Sequence, residues 1–325
     1  MTRRLFFFIV IAALLVIAAA HTLRLTGLNM NPDEVWHIWQ SFGSPDEIIA
    51  RTPYDWTPLY PLVLGGWRLI AGIQPFAVRT LSMLFSLIGA AFAYKAGTKI
   101  AGRWAGLLTM LIWSAFTYTI FLSGYVRPYA MAHALIPMGF YLTLEYFDVE
   151  REKQRRNHTV MVGAALTLTL IISFYTILTT PIWVALYGMY TLFVYPIRRV
   201  IVRWIPVAAV FVIASMPIVL AFRQQLQRTL ILPSIPFAEG ITTIAGEYLG
   251  DAGFVWAIVL AVGVIAWLRR RQHTRSIVVF ALWSFGGLIA MFVLHPQLGF
   301  FRPSYSFWTL TGFALLGGVL LSALP

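Results

Sequence analysis

The chain has no cysteine among its 325 residues, and charged side chains make up only 11% of it. The absence of cysteine excludes disulfide bonds and thiolate chemistry. The sequence also contains no HExxH-type spacing that would indicate a metal site. Because 59% of the residues are hydrophobic, the chain has too little polar surface to cover a water-soluble globule. Its composition therefore predicts a polytopic helical membrane protein.

Acidic residues are scarce, with 12 Asp and Glu against 24 Lys and Arg, and the net charge is +12. Such an excess could indicate a nucleic-acid partner. However, the basic residues lie in short loops between apolar runs and form no long basic tract. The positive-inside rule explains this distribution better, so no nucleic-acid partner is expected.

The apolar runs predict an all-α transmembrane bundle of about ten spans. Placing Arg3 and Arg4 in the cytoplasm puts 16 of the 24 basic residues on the cytoplasmic side, and eight of the 12 acidic residues on the outer side. The sequence therefore predicts a multi-pass protein of the plasma (inner) membrane with a cytoplasmic N-terminus. The predicted spans are 5–23, 77–96, 105–122, 128–147, 159–175, 177–195, 204–222, 252–268, 276–294 and 305–324.

The first twenty residues also have the shape of a cleavable signal peptide, with basic residues, an apolar run and Ala18-Ala19-Ala20. Retention as a first membrane helix is the preferred interpretation. Cleavage would leave the following loop on the same outer side, so both interpretations place the same residues there.

Two outer loops are long. Residues 24–76 carry aromatic stretches around Trp36 and from Trp56 to Ile70, which are typical of helices lying at the headgroup level. Residues 223–251 are polar, contain Pro233 and Pro236, and could form a cover.

Ionisable residues are almost absent from the centres of the spans, where His133 is the exception. A proton-coupled or ion-coupled transporter would be expected to hold carboxylates at mid-membrane. This chain keeps its ionisable groups at the outer surface. That pattern favours chemistry on a substrate whose head lies at the interface and whose tail lies in lipid, whereas His133 is interpreted as a packing residue.

Two segments have the pattern of a helix start with acids in the first turn, Asn31-Pro32-Asp33-Glu34 and Ser44-Pro45-Asp46-Glu47. Ionised carboxylates are stabilised there by the helix dipole, so both pairs could be purely structural. Local spacing alone does not rank the two. Asp33 is preferred over Asp46 as the functional carboxylate.

Two arginines precede prolines at the outer mouths of predicted spans. Arg127 stands beside Tyr129, and Arg302 stands near Tyr305. Arginine with neighbouring tyrosine hydroxyls can bind a phosphate through forked hydrogen bonds. The alternative is that each arginine is an interfacial anchor.

These motifs, in this order, resemble the GT-C superfamily of membrane glycosyltransferases, in particular the bacterial relatives of protein O-mannosyltransferases and aminoarabinose transferases. The resemblance covers nearly the whole chain and is most specific over residues 28–130. It rests on Asp33-Glu34, Thr57-Pro58-Leu59-Tyr60, the segment 77–82, Arg127-Pro128-Tyr129 and Arg302-x-x-Tyr305. Tyr125 stands where relatives often have an acidic residue.

The resemblance implies an inverting transfer of a sugar from a polyprenyl-phosphate carrier to a lipid, glycan or protein acceptor at the outer face. It implies Asp33 as the catalytic base, with Glu34 as a second catalytic residue that supports acceptor or donor placement. Donor phosphate or substrate binding is implied for Arg127, Tyr129, Arg302, Tyr305 and Tyr60.

Whether a divalent cation takes part is left open, and no metal ligand is assigned. A non-catalytic binder of lipid-linked sugar, or a flippase with the same fold, is the alternative function. The chain ends at Pro325 after the tenth predicted span, where relatives commonly carry further helices or a soluble tail. A single domain over 1–325 without a C-terminal extension is therefore expected.

Overall fold

A computed structural model describes residues 2–23, 25, 29–52, 57–148, 156–222, 236–298 and 303–324. Within these ranges the regular structure is helical, as the sequence predicts. The helices are α1 (Arg3–Thr22), α2 (Pro32–Gln40), α3 (Pro45–Arg51), α4 (Leu59–Ala71), α5 (Pro75–Ala115), α6 (Thr117–Ser123), α7 (Pro128–Tyr146), α8 (Arg156–Thr176), α9 (Thr180–Val194), α10 (Ile197–Phe222), α11 (Phe237–Leu249), α12 (Gly253–Arg270), α13 (Thr274–Ala281), α14 (Gly287–Leu298), α15 (Pro303–Ser306) and α16 (Thr309–Leu321). A π-helical turn, Leu282–Gly286, joins α13 to α14.

Each predicted span lies on one or two of these helices. Among the described residues, six helical stretches are long and apolar enough to cross a membrane. They are Arg3–Thr22, Pro75–Ala115, Asn157–Thr176, Ile197–Ala221, Phe237–Arg270 and Thr274–Leu294. Shorter apolar helices accompany them, and the total of ten spans stays a prediction.

Helix α5 is a tight hairpin of two antiparallel halves. Its backbone leaves helical geometry at Ala101 and at Gly102, whose φ of 86° suits glycine. Beyond this point the chain doubles back, because a Cβ on Gly97 would lie 3.0 Å from the Cα of Gly106. In a continuous helix, residues nine positions apart would be about 13 Å apart. The hairpin therefore supplies two of the predicted spans.

Helix α7 lies at the centre of the bundle and is buried on nearly all sides. Phe140, near its middle, packs edge-on against Tyr190, Phe280 and Trp283 at ring distances of 5.0–5.8 Å. The core is thus built largely from aromatic rings, and polar atoms of these rings find partners inside the bundle, as when Trp283 Nε1 donates to the Trp308 carbonyl at 3.0 Å. This packing holds α7 in place, and Arg127 lies at its N-terminal end.

Helices α2, α3 and α4 form a short helical layer at the end of the bundle that contains the start of α7. Two side chains join this layer together. Trp67 Nε1 on α4 donates to Ala77 O at 2.8 Å, and Arg68 Nη2 donates to Ser41 O at 3.0 Å. Beneath it, Leu64 and Val78 are completely buried. The layer is therefore held against α5, and it presents the start of α2 to the mouth of α7.

Candidate functional site

Helix α2 begins as the sequence predicts. Asn31 Oδ1 accepts from the Asp33 amide at 3.0 Å, and the Asn31 amide donates to Glu34 Oε2 at 3.0 Å. Pro32 occupies the first helical position, where its missing N–H costs nothing. This local geometry turns the two neighbouring carboxylates in different directions, Glu34 inwards and Asp33 outwards.

Glu34 is buried in a bidentate ion pair with Arg79 of α5. Arg79 Nε lies 3.0 Å from Oε1 and Nη2 lies 2.9 Å from Oε2. The Val126 amide also donates to Oε1, at 3.2 Å. Arg79 further donates to the carbonyl of Asn29 at 3.3 Å. Glu34 therefore joins α2, α5 and the segment before α7, and it is a positioning residue in this structure.

Asp33 is half-exposed and contacts the mouth of α7. Its Oδ2 lies 2.7 Å from Arg127 Nη1 and accepts from the Tyr125 hydroxyl at 3.4 Å. Burial raises the pKa of Tyr125, so its phenol keeps the proton that it donates. Oδ1 has no hydrogen-bond donor among the residues that the structure describes. The carboxylate is thus oriented through one oxygen and presents the other outwards.

Tyr129 lies directly beneath the guanidinium of Arg127, whose Cζ is 5.1 Å from the centre of the tyrosine ring. The ring packs edge-on against Phe307 at 5.9 Å. Phe307 follows α15, the short helix that carries Tyr305, and Trp308 Nε1 donates to the Tyr305 carbonyl at 2.8 Å. The structure therefore brings the segment of Tyr305 to the Arg127–Tyr129 mouth. Arg302 lies outside the described residues.

Tyr60 is completely buried under α2, and its ring meets the ring of His37 edge-on at 5.6 Å. The structure thus places this predicted substrate-binding residue behind the site, where it supports α2. Burial, with the charge of Arg127 as the second cause, lowers the pKa of His37 to about 3. His37 is therefore a neutral packing residue of α2 at physiological pH.

His133 is fully buried in α7, in agreement with the packing role expected from the sequence. It stacks on Trp113 at 4.3 Å and shares a hydrogen bond of 3.0 Å with Thr119. It joins the second half of the α5 hairpin to α6 and α7. Arg79 was not among the predicted site residues, although a lone arginine at the start of an apolar helix is a signal for a buried ion pair.

An open cavity of about 640 Å³ lies beside Asp33, between the start of α2, helix α6 and helix α11. This volume falls within the usual range of small-molecule sites, about 300–1,000 Å³. Its walls are formed by Asn29, Asn31, Glu34, Arg79, Thr117, Ile120, Phe121, Gly124, Tyr125, Thr242, Thr243, Gly246 and Glu247. The α11 wall has no signal in the sequence, because only the fold brings it to α2.

Helix α11 occupies the second half of the segment 223–251, which the sequence predicts to be an outer loop, and residues 223–235 lie outside the described residues. Tyr248 anchors the helix by donating to Ser306 Oγ at 2.7 Å. Gly250 ends it with a φ of 55°, and a Cβ there would lie 2.8 Å from Thr117 Oγ1. This close approach holds the end of α11 against α6. Whether the loop acts as a cover stays a prediction.

The second Pro-Asp-Glu segment has the same cap but different surroundings. The Ser44 amide donates to Glu47 Oε2 at 2.7 Å, which completes the capping box. Glu47 is exposed, and its only ion pair within the described ranges is with Arg51, 3.9 Å away on the same helix. Asp46 contacts no arginine there. The fold therefore separates two segments that the local sequence leaves equivalent.

No group of three or more His, Asp or Glu side chains that could hold a metal ion occurs in the part of the chain that the structure describes. Among the described residues, the groups that meet at the mouth of α7 are the Asp33 carboxylate, the Arg127 guanidinium and the Tyr125 hydroxyl. The arrangement can accept a proton and stabilise negative charge within one small volume.

The sequence matches no family model and no curated protein. Solved structures give clear matches. ArnT from Cupriavidus metallidurans in the apo state matches with a TM-score of 0.71 and 16% identity, over 97% of this chain and 60% of that chain. The same protein bound to undecaprenyl phosphate matches with a TM-score of 0.70 and 16% identity, over 100% of this chain and 61% of that chain.

The oligosaccharyltransferase from Archaeoglobus fulgidus in the apo form matches with a TM-score of 0.65 and 10% identity, over 96% of this chain and 50% of that chain. The chain thus spans half to three fifths of the length of these structures. At such low identity the likeness concerns the fold. Together with the apolar helices, it confirms the fold predicted from the sequence, and the chain is a multi-pass membrane protein with a GT-C fold.

Proposed function

We propose that this chain is an inverting glycosyltransferase that transfers a sugar from a polyprenyl-phosphate carrier to an acceptor hydroxyl. The observation that carries this proposal is the outward-facing carboxylate of Asp33, held by Arg127 at 2.7 Å beside an open cavity. A base and a cation at such a distance suit a transfer in which a proton is removed and a phosphate leaves. The GT-C fold supports the same class of reaction.

In the proposed step, Asp33 Oδ1 accepts the proton of the acceptor hydroxyl. The acceptor oxygen forms a bond to the anomeric carbon while the bond between that carbon and the phosphate oxygen breaks. The electron pair leaves with the phosphate, and attack from the opposite side inverts the anomeric centre. Because phosphate is already a good leaving group, a separate general acid is not required.

Arg127 has two roles in this proposal. It orients Asp33 in the absence of donor, and it stabilises the phosphate as negative charge develops during bond breaking. The phosphate would share the guanidinium with Asp33, which places donor and base side by side. Tyr129 supports Arg127 from below, and Arg302 and Tyr305 are proposed as further donor-binding residues from the segment around α15.

The polyprenyl nature of the carrier is supported by the structure of ArnT with undecaprenyl phosphate, whose fold this chain shares over its full length. The site also lies at one end of the bundle, where a lipid phosphate would lie at headgroup level while its chain stays in hydrocarbon. A protein with this site is expected to bind membrane lipid. The acceptor is proposed to be a lipid, glycan or protein hydroxyl.

The distribution of charge supports the plasma (inner) membrane location, with the N-terminus in the cytoplasm and the site on the outer face. The C-terminal end of α12 carries Arg269 and Arg270 in its last turn, whereas α2 and α3 carry acids in their first turns. The basic end is the one that the positive-inside rule assigns to the cytoplasm.

The experiment that tests the proposal incubates purified protein with radiolabelled polyprenyl-phosphate sugars and membrane extract, and follows the label into acceptor. We expect transfer from at least one donor, with release of polyprenyl phosphate in equal amount. Tight binding of the carriers without transfer or release from any of them would favour the alternative, a non-catalytic binder or flippase.

A further inference from the structure

The cavity beside Asp33 has a wall of hydroxyl and amide groups that the proposed proton transfer does not use. Thr117 lies on α6, Thr242 and Thr243 lie on α11, and Asn29 and Asn31 precede α2. Such groups both donate and accept hydrogen bonds. They match the hydroxyl groups of a carbohydrate better than an apolar chain.

One part of the wall is aromatic. The rings of Phe121 and Tyr125 lie 4.8 Å apart at an angle of 38°, and both residues line the cavity. Small-molecule sites typically combine an apolar surface with a few well-placed polar groups. A sugar ring has the same two characters, an apolar face of C–H groups and a rim of hydroxyls.

Helix α11 presents one face to the cavity and buries the other. Thr243 and Glu247 are four positions apart and line the cavity, whereas Ile244 and Tyr248 are buried behind them. The hydrogen bond from Tyr248 to Ser306 fixes this register. The cavity face of α11 is therefore a defined surface.

Among the described residues that line the cavity, the charged ones are Glu34, Arg79 and Glu247, which leaves one negative charge in excess. Glu34 is neutralised by Arg79 at 2.9 Å. Glu247 has no ion pair and no hydrogen-bond partner among the described residues, and its carboxylate contributes to the wall. A ligand group that enters next to Glu247 therefore meets a carboxylate that no described residue neutralises.

We propose that this cavity is the sugar subsite, that it takes a non-acidic, hydroxyl-rich monosaccharide, and that Glu247 determines specificity against sugars carrying a carboxylate. The proposal rests on the proposed function, since it assigns the sugar of the lipid-linked donor to this cavity. Sugar hydroxyls would donate to Glu247, whereas a uronic acid would place two negative charges close together.

Gly246 offers a steric test. It lines the cavity, and a Cβ built on it meets no atom within 4 Å. A larger side chain there would enter the cavity without clashing with the protein. Gly66 on α4 is the matched control, because it is an exposed helical glycine with equally open surroundings.

The binding experiment uses three probes of the same chain length: polyprenyl phosphate, polyprenyl-phosphoglucose and polyprenyl-phosphoglucuronate. The two sugars differ at one carbon, which carries either a CH₂OH or a carboxylate. In the unchanged protein we expect glucose to strengthen binding over the bare phosphate, and glucuronate to do so less. Gly246→Leu should reduce the gain in affinity that glucose gives over polyprenyl phosphate by about tenfold. It should leave the affinity for polyprenyl phosphate unchanged. Gly66→Leu should change neither.

Glu247→Gln should reduce the ratio between the affinities for the glucose probe and the glucuronate probe by about tenfold. Glu239→Gln, which changes an exposed carboxylate in the first turn of α11, should leave the difference as it was. Equal binding of all three probes by the unchanged protein would overturn the proposal. So would a preference for glucose that neither Gly246→Leu nor Glu247→Gln reduces.

These measurements record binding and not turnover, so the subsite and the proposed function can fail separately. Sugar-dependent binding that responds to both variants, without transfer to any acceptor, would support the subsite in a protein that is not a transferase. Sugar transfer at a rate that neither variant changes would support the proposed function and contradict the subsite.

Discussion

Arg79 and Glu34 form a bidentate ion pair, with Nε 3.0 Å from Oε1 and Nη2 2.9 Å from Oε2. Both side chains are 2% exposed. The pair joins residues 45 positions apart in the chain. Because Glu34 points inwards, the adjacent Asp33 points to Arg127 and to Tyr125, which lines the cavity. The buried pair thus sets the direction of the outward-facing carboxylate.

Removing one partner of this pair should destabilise the protein strongly, because the other charge is left buried alone. We expect Arg79→Gln and Glu34→Gln each to cost about 3–5 kcal/mol. The double variant should recover part of the loss, since no uncompensated charge remains. The measurement is the midpoint of thermal unfolding in detergent. Glu47→Gln is the matched control in the exposed pair of α3, and an equal loss there would contradict the interpretation.

Asp33→Asn keeps the shape of the side chain and removes its ability to accept a proton. Turnover should fall about a hundredfold or more while donor binding largely persists. Rates and donor affinities measured on the same preparations separate the two effects.

Asp46→Asn is the internal control, because Asp46 has the same local sequence pattern without an arginine partner among the described residues. It should retain turnover close to that of the unchanged protein. Normal turnover in Asp33→Asn combined with a loss in Asp46→Asn would show that the wrong Pro-Asp-Glu segment has been chosen.

Arg127→Lys keeps the positive charge and loses the forked geometry. Donor affinity should weaken by about 1–3 kcal/mol if the phosphate contact is direct, and Arg302→Lys is expected to act in the same way. Arg51→Lys, at a partly exposed arginine of α3, is the control. Titration with polyprenyl phosphate provides the measurement. Unchanged affinity for polyprenyl phosphate in both site variants would show that these arginines are interfacial anchors only.

His37 should make stability depend on pH. Its pKa is lowered to about 3 by burial, and to a lesser extent by Arg127, from about 6.5 in an unfolded chain. Between these two values the unfolded state binds a proton that the folded state does not, so stability is full above about pH 6.5 and is lost as the pH falls towards 3. His37→Gln removes this contribution. The difference between the melting temperatures of the unchanged protein and the variant should shrink as the pH falls from about 7 to about 4. A difference that stays constant over this range would contradict a neutral His37.

The absence of cysteine allows the topology to be measured directly. Ser44→Cys, on the exposed cap of α3, should react with an impermeant thiol reagent from outside intact cells. Asn157→Cys and Thr274→Cys, also at exposed positions, should react only after the membrane is opened. The reverse pattern would invert the orientation and remove the outer-face site.

Much of the fold could be predicted because its determinants are local. Apolar runs specify the spans, Asn31 and Ser44 specify two helix starts, and both caps form as predicted. Even the hairpin of α5 has a local cause in Gly102. The number of spans is harder to derive, because α9 and α16 are short apolar helices whose length alone does not decide whether they cross the membrane.

The site could be predicted only in part. Asp33 and Arg127 were identified separately, but their 2.7 Å contact joins residues 94 positions apart, and no local pattern encodes it. Tyr60 was assigned to the substrate, and the structure buries it behind α2. The α11 wall with Glu247 was missed because a short amphipathic helix gives no signal until its partner is known.

By itself the sequence determined the class of the protein, the helices, the sidedness of charge and the caps, because hydrophobicity and capping act within a few residues. Only the tertiary structure decided in which of two equivalent Pro-Asp-Glu segments the aspartate faces an arginine. That choice follows from the burial of Glu34 against Arg79, since an ion pair removed from water must find its partner wherever the packed helices bring one.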